Sequence, residues 1–342
     1  MTLQEIAQAA GVSTGTVDRV LHNRKGVSQK TKEKIQAIIE ENGYEPNLIA
    51  RQLKNNKTLK IGILLPKLGS GCGYYAALLD GMKNQQKRFL PFKIDLMIEE
   101  FDRLKPLDAV KKGVKLISEK VDGLIAAPVV QEDFYELIPH LHSVPYIFVD
   151  SPLNYPGAIS TIVQNPFKSG YCAARVMKML QGSGTFACIK MYDNAYNLLE
   201  RARGFMDFFN HDSGSKVIDI VCDDFTEMGL YSFLEDFYTT HKDLKGIFIP
   251  HAEVQLATYY LVNNGLKSKI ALIGFDCVPQ NKQALLEGTI DCLIGQRPEL
   301  QGEEAVRKLY QYIMFHQAIP REVNMPIDIF FRENIYSNFE IF

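Results

Sequence analysis

Thr2-Leu3-Gln4-Glu5-Ile6-Ala7-Gln8-Ala9-Ala10-Gly11-Val12-Ser13-Thr14-Gly15-Thr16-Val17-Asp18-Arg19-Val20-Leu21 opens the chain, and its periodicity decides how the rest is read. Apolar Leu3, Ile6, Ala7 and Ala10 recur at helical spacing. Thr2 and Glu5 form a capping box, each side chain matched to the other's amide. Gly11 supplies a turn, Val12 can plug a small core, and Ser13 can cap a second helix over Thr14–Leu21. In that helix Val17, Val20 and Leu21 share one face, leaving Thr14, Gly15, Asp18 and Arg19 on the other. After His22-Asn23-Arg24-Lys25-Gly26, Ser28 can cap a third helix over Thr31–Asn42 with Ile35, Ile38 and Ile39 apolar, and Gly43 ends it. Two short helices joined by a glycine turn and braced by a third make a helix-turn-helix. Such a module lays the start of its second helix in a DNA major groove. Arg19 can then bond guanine in bidentate fashion, Thr14 can touch a base edge or thymine methyl, and Gly15 permits close approach.

The charge distribution agrees. The whole chain of 342 residues has a formal charge of −2, yet residues 1–60 hold ten Lys/Arg against six Asp/Glu and the remainder 28 against 34. A basic head on an acidic body places the polyanion contact at the head. Hydrophobic content of 46% and charged content of 23% are ordinary for a globular protein. No apolar run approaches the roughly 20 residues of a membrane helix, and Met1–Ala10 lacks the basic start of a signal peptide. A cytoplasmic protein without membrane contact is expected. The six cysteines have no metal or redox spacing and read as reduced packing residues, and no metal is expected.

The pattern Leu3-x-x-Ile6-Ala7-x-x-Ala10-Gly11-Val12-Ser13-x-x-Thr16-Val17-x-Arg19-Val20-Leu21-x-Asn23 continues as Val27-Ser28-x-x-Thr31-x-x-x-Ile35 and Gly43-Tyr44-x-Pro46-Asn47-x-x-Ala50-x-x-Leu53. It resembles the headpiece of the lactose-repressor family of bacterial regulators. The resemblance implies DNA contacts from Thr2, Ser13, Thr14, Gly15, Thr16, Asp18, Arg19, Asn23 and Ser28. Asp18 departs from the family's usual Ser beside a phosphate, where a carboxylate must pair with a nearby Arg or accept from cytosine.

On this reading residues 1–45 are the headpiece and 46–58 a hinge helix and linker. Pro46–Lys57 is too short to be a stable helix alone, since isolated helices below roughly 12–15 residues are marginal in water. The resemblance implies that two copies in a homodimer pair in the minor groove at the centre of a pseudo-palindromic operator. Leu53 falls on the position that wedges between base pairs, Arg51 and Lys54 can reach phosphates, and Asn47 and Ala50 complete the pattern. The terminal Tyr336–Phe342 holds no leucine heptad, so a dimer rather than a tail-assembled tetramer is expected.

From Leu59 onward apolar runs alternate with helical stretches. Strands are expected at Lys60–Leu65, Lys93–Glu99, Gly123–Ala126, Tyr146–Val149, Thr185–Lys190, Val217–Cys222, Gly246–Ile249, Ile270–Phe275, Asp291–Ile294 and Ile327–Phe331, with helices such as Tyr75–Phe89, Phe167–Leu180 and Glu299–Phe315 between them. This rhythm predicts parallel sheets covered on both faces, and the length favours two lobes. Val144-Pro145-Tyr146-Ile147-Phe148-Val149-Asp150, Gly204-Phe205 and Ile273-Gly274-Phe275-Asp276 resemble the periplasmic sugar-binding-protein fold that the same family carries behind its headpiece. The expected architecture is therefore an all-α helix-turn-helix headpiece plus an α/β body, 59–342, of two parallel-sheet lobes. Lobe 1 is expected over about 59–160 and 292–318, and lobe 2 over about 161–291 and 319–342. The fold implies three crossings between lobes and a ligand cleft at the strand ends.

In that cleft Tyr74 and Tyr75 open a helix after the first strand, where an aromatic face can stack on a sugar ring. Phe225 sits where a second aromatic is common. Asp150, Asp276 and Gln296 match positions that bond sugar hydroxyls, and His251 replaces the usual Asn. Asn165 and Arg203 complete the expected ligand set. Other positions depart: Leu199 stands where a cleft Arg is expected, Asn165-Pro166 where Asp-Asn is common, and Ala252 replaces an Asp. The implied effector is a sugar or derivative, controlling a repressor allosterically. Two rival classes fit less well. Gly69-Ser70-Gly71-Cys72-Gly73 follows a strand, but Tyr74 stands where the dinucleotide fingerprint needs its third glycine. No nucleophile–base pair is evident, so neither a cofactor nor an enzyme is expected. A transport binding protein would share the body but has no use for a headpiece.

Overall fold

The computed structural model describes residues 3–21, 26–42, 58–67, 73–89, 93–191 and 195–335. Thr2, Asn23, Asn47, Ala50, Arg51, Leu53, Lys54, the Gly69–Cys72 run and Tyr336–Phe342 lie outside the described residues. The chain divides into two compact units, 1–57 and 58–342.

The first unit contains α1 (Leu3–Ala10), α2 (Thr14–Leu21) and α3 (Gln29–Glu41). Its core is Ile6, Ala7, Ala10, Val17, Val20 and Ile35, with Leu3, Val12, Leu21, Ile38 and Ile39 packed against it. Gly11 adopts the left-handed φ of 69° that lets the Val12 amide return to the Ala7 carbonyl at 2.9 Å. Ser13 and Ser28 cap α2 and α3, accepting from the Thr16 and Thr31 amides at 3.2 and 3.3 Å. The Ser28 cap explains why α3 starts two residues before the expected Thr31: its bonded amide lies in the third helical position. Lys34 Nζ donates to the Ala10 carbonyl at 3.0 Å, tying α3 to the end of α1.

In the second unit the chain runs β1 (Leu59–Pro66), α4 (Gly73–Arg88), β2 (Ile94–Phe101), α5 (Asp108–Ser118), β3 (Gly123–Ala126), α6 (Gln131–Leu141), β4 (Tyr146–Val149), β5 (Ser160–Gln164) and α7 (Pro166–Gln181). It continues β6 (Thr185–Lys190), α8 (Tyr196–Phe209), β7 (Lys216–Val221), α9 (Glu227–Thr240), β8 (Leu244–Phe248), α10 (Leu256–Asn263), β9 (Ala271–Phe275), α11 (Pro279–Leu286), β10 (Cys292–Gly295), α12 (Pro298–Phe315), β11 (Glu322–Met325) and β12 (Asp328–Phe330). Two six-stranded sheets result, ordered β11-β5-β4-β3-β1-β2 and β12-β10-β9-β8-β6-β7. Every pairing is parallel except β10 with β12. Buried apolar runs such as Ile61–Leu65 and Leu272–Phe275 are what a sheet covered on both faces requires.

The lobe boundaries expected from sequence need correction. Ser160–Gln164 and Glu322–Met325 were not expected as strands, and both belong to the first sheet. Cys292–Gly295, expected in lobe 1, is a strand of the second sheet. The missed strands are short and half polar. Ser160 hides its hydroxyl on the Pro320 carbonyl at 2.7 Å, and β11 is an edge strand with Glu322 and Asn324 exposed. The chain therefore crosses between lobes at 164–166, 295–298 and 325–328. Gln164 Nε2 joins all three segments, donating to the Gly295 and Pro326 carbonyls at 2.7 and 3.0 Å. Arg297 adds a bidentate pair with Asp328 at 2.7 and 2.8 Å.

The two lobes repeat one plan. Val149 pairs with Ile162 in the first sheet and Phe275 with Ile294 in the second, which makes Asp150 equivalent to Asp276 and Gln164 to Gln296. In each lobe one helix pair is held by facing glycines. A Cβ at Gly81 or Gly302 would strike backbone between α4 and α12, and one at Gly204 or Gly170 would strike backbone between α8 and α7. Close helix contact of this kind brings the N-terminal turns of α4 and α8 to the strand ends, so the repeat also equates Tyr74 with Asn197 and Leu78 with Arg201.

Candidate functional site

On the head, packing decides which side chains of α2 point outward. Val17 and Val20 are buried, Leu21 is half-buried, Thr14, Gly15 and Arg19 are exposed, and Thr16 and Asp18 are half-buried. Ser13 and Thr16 hydroxyls meet at 3.0 Å and Ser28 and Thr31 at 2.8 Å, so both caps present hydroxyl pairs at helix N-termini, where anions are favoured. A Cβ at Gly15 would meet only the Ser13 hydroxyl, at 3.8 Å. The exposed row Thr14-Gly15-Arg19 is thus unobstructed within the head.

In the body the strand C-termini of both sheets face one polar cluster. Asp150 and Asp276 end β4 and β9 in the left-handed region, with φ of 65° and 64°, which Asp tolerates better than most residues. Their amides are held by the Ile162 and Ile294 carbonyls at 3.2 and 2.9 Å. Tyr75 donates to Asp150 Oδ2 at 2.8 Å, and Asn197 Nδ2 reaches the Asp150 carbonyl and Oδ1 at 3.2 and 3.3 Å from the other lobe. Gln296 Nε2 donates to Asp276 Oδ1 at 2.7 Å and accepts at Oε1 from Arg201 at 2.7 Å. The Arg201 guanidinium also donates to the Pro250 carbonyl at 2.9 Å and lies 4.0 Å from the centre of the Phe275 ring. Asn281 bonds the carbonyls of Ala252, Phe275 and Asp276 at 2.7, 3.0 and 2.9 Å, fixing the 251–253 segment beside Asp276. There His251 Nδ1 bonds Glu253 at 2.8 Å, and the Phe225 ring meets the imidazole edge-on at 4.5 Å.

Burial dominates the electrostatics. It pushes the Asp276 carboxyl up to about 7, against the opposing pull of Arg201 and Gln296 and with a further push from Asp150 and Glu253. Asp150 is raised in the same way, with Arg201 and Tyr75 opposing. Burial and then the charge of Asp150 hold the Tyr74 phenol well above its usual range. For Glu253 burial acts upward, but the bond and charge of His251 bring it below the ordinary carboxylate value. Among the buried polar atoms here that have no hydrogen-bond partner among the described residues are Asn197 Oδ1, Arg201 Nε and His251 Nε2. Unsatisfied buried groups each cost about 1–3 kcal/mol, so the arrangement asks for a polar occupant.

Of the residues expected in the cleft, Tyr74, Tyr75, Asp150, Asp276 and Gln296 come together, with Phe225 and His251 as an adjoining pair. Two do not join them. Asn165 caps α7, accepting from the Lys168 amide at 2.9 Å, and Arg203 is exposed in an ion pair with Glu200. The expectation that the cleft arginine is lost at Leu199 is overturned: Leu199 is 38% exposed, whereas Arg201 is 4% exposed and reaches the cluster. Asn197, Arg201 and Glu253 stood outside the expected ligand set. The first two could have been found, because Asn197, Arg201, Gly204 and Phe205 share one helical face. Among the described residues no group of three or more His, Cys, Asp or Glu could hold a metal ion, and no described helix is long and apolar enough to cross a membrane.

Comparison with known proteins places both units. Residues 2–47 match the model of the bacterial regulatory proteins of the lacI family, and residues 61–317 match a periplasmic binding protein domain. The HTH-type transcriptional regulator RegA of Clostridium saccharobutylicum is 25% identical over 340 residues, covering 94% of this chain and 98% of RegA. The match to the PurR repressor of Pectobacterium carotovorum spans about half of that protein's length, 50%, at 28% identity. A solved structure from Bacteroides fragilis assigned as a LacI transcriptional regulator superposes with a TM-score of 0.74 at 26% identity, over 81% of this chain and 98% of that one. A cellobiose complex of the transcriptional regulator CelR superposes with a TM-score of 0.67 at 22% identity, over 97% and 99% of the two chains.

Proposed function

From a chain that belongs to the lacI family of bacterial regulatory proteins and carries a periplasmic-binding-protein body, we propose a transcription regulator whose cleft closes on an uncharged, hydroxyl-rich molecule of the sugar class. The unpartnered Asn197 Oδ1, Arg201 Nε and His251 Nε2 carry this reading. Asn197 Oδ1 is an acceptor, since its Nδ2 is already donating, and Arg201 Nε is a donor. His251 Nδ1 is engaged by Glu253, and its Nε2 offers one more polar contact, an acceptor in the neutral ring and a donor in the imidazolium. Asp150 and Asp276 add carboxyl oxygens that accept from hydroxyl donors, more strongly once ionised. A phosphate or carboxylate ligand would meet the carboxyls of Asp150, Asp276 and Glu253 against Arg201 and Arg103, so a neutral polyol fits better. Tyr74 and Tyr75 supply aromatic surface for the ring. The cellobiose bound to CelR is in keeping with this class.

In the proposed mechanism residues 1–45 read DNA, 46–58 form the hinge and 59–342 sense the ligand. Arg19 and Thr14 face base edges, with Gly15 allowing close approach and Asp18 beside them. Thr2, Ser13, Thr16, Asn23 and Ser28 meet the backbone. Asn47, Ala50, Arg51, Leu53 and Lys54 act at the operator centre. Two copies form a homodimer on a pseudo-palindrome in the cytoplasm, repressing until the ligand shifts the lobes. The carboxylates bind and do not catalyse. A thermal-shift screen of the full chain against neutral sugars, sugar acids and sugar phosphates tests the ligand class. A neutral sugar at about 100 times its Kd should add roughly 2.7 kcal/mol, and stabilisation by acids or phosphates alone would refute it.

A further inference from the structure

A second concavity, of about 800 Å³, opens on the first lobe. It lies at the opposite end of the sheet from the cleft: Asp122, Tyr146 and Ile159, at the N-terminal ends of β3, β4 and β5, line it. Its walls are the ends of α6 and α12, and no lysine or arginine is among its described lining residues. Both helices terminate there at a histidine in an unusual positive-φ conformation, His142 at 43° and His316 at 51°. The C-terminal ends of two helices therefore border one groove, and a helix C-terminus carries partial negative charge. Two partly exposed tyrosines, Tyr155 and Tyr312, add ring surface. Tyr146 is 6% exposed, and its hydroxyl lies beside Gly157. That hydroxyl sits where a Cβ on Gly157 would come within 2.5 Å, and Gly157 has a φ of 144°, so only glycine leaves it room.

We propose that this groove binds a small alkylammonium ion, held by tyrosine faces and helix-terminal carbonyls. A lining with Asp122 and no lysine or arginine favours cations over anions, and aromatic rings select an organic cation over a hydrated metal ion. The site is separate from the cleft and does not depend on the sugar reading. Calorimetric titration of the full-length protein with choline, and with its uncharged isostere in which carbon replaces nitrogen, tests it. Choline is expected to bind saturably and the isostere at least about tenfold more weakly. Tyr312→Ala, at a half-exposed ring whose loss leaves folding intact, should weaken choline about fivefold, the size of one exposed cation–π contact. Ser143→Lys, at an exposed lining position, should weaken choline but leave any residual isostere binding unchanged. Equal binding of choline and the isostere, wild-type choline binding in both variants, or no saturable binding would each overturn the proposal.

Discussion

Asp276 concentrates the chemistry of the cleft in one side chain. Its carboxyl is raised from 3.8 to about 7, chiefly by burial. A carboxyl whose folded pKa lies above its unfolded value stabilises the fold below the unfolded pKa and loses that contribution as pH rises through the folded one. The unliganded protein should therefore lose stability between about pH 4 and pH 7. Asp276→Asn should flatten that slope in pH-dependent denaturation, leaving the smaller part due to Asp150, while also impairing the ligand response. An Asn accepts the φ of 64° without strain, so an unaltered slope would mean that Asp276 is not the titrating group. Arg201 and Arg203 offer a second contrast. Arg201→Ala should weaken ligand binding by about tenfold or more, the value of a hydrogen bond to a charged group, and Arg203→Ala should leave the Kd near wild type. Equal effects would remove Arg201 from the site. At this scale the sequence was legible where a side chain sits at a strand end: Asp150, Asp276 and Gln296 follow apolar runs. It was ambiguous along α8, where two arginines two residues apart differ only in the face they occupy.

Helices and strands were legible in proportion to their apolar content. β3, β4 and β6 are buried throughout and β1 at every residue but Lys60, and they stand out as apolar runs. β11 is a sheet strand because of a partner more than 150 residues away in sequence, Glu322 opposite Thr161, and no local pattern announces that pairing; β5, which also pairs with β4, was hidden by its half-polar sequence. Missing these two strands and assigning β10 to the wrong sheet displaced the expected lobe boundaries. The glycines that seat the helices make a sharper prediction. Gly204→Ala would drive a methyl into the Phe167 carbonyl oxygen, which is backbone and cannot rotate away. α7 and α8 must separate, at a cost of about 2 kcal/mol or more, read as a lower denaturation midpoint. A wild-type midpoint would show that the pair tolerates the wider spacing. Gln164 is the corresponding device at the crossings, since one amide ties all three segments and constrains how the lobes can pivot.

The whole molecule joins a DNA-reading unit to a ligand-sensing one, and the first sixty residues announced the former through dense helical periodicity and caps. The body was legible as two α/β lobes. The side chains that complete its cleft come from elements far apart in sequence, as Asn197 meeting Asp150 shows. Control of DNA by ligand requires only that the ligand bind one lobe arrangement better than another, and the coupling equals that difference. The direct measurement is the affinity of the full-length protein for a genomic fragment it selects, taken with and without a saturating neutral sugar from the stability screen, at fixed salt. The account predicts salt-sensitive binding that Arg19→Ala strips of its selectivity, and a shift of about 5- to 150-fold on adding the sugar. An identical affinity with and without the bound sugar would contradict it.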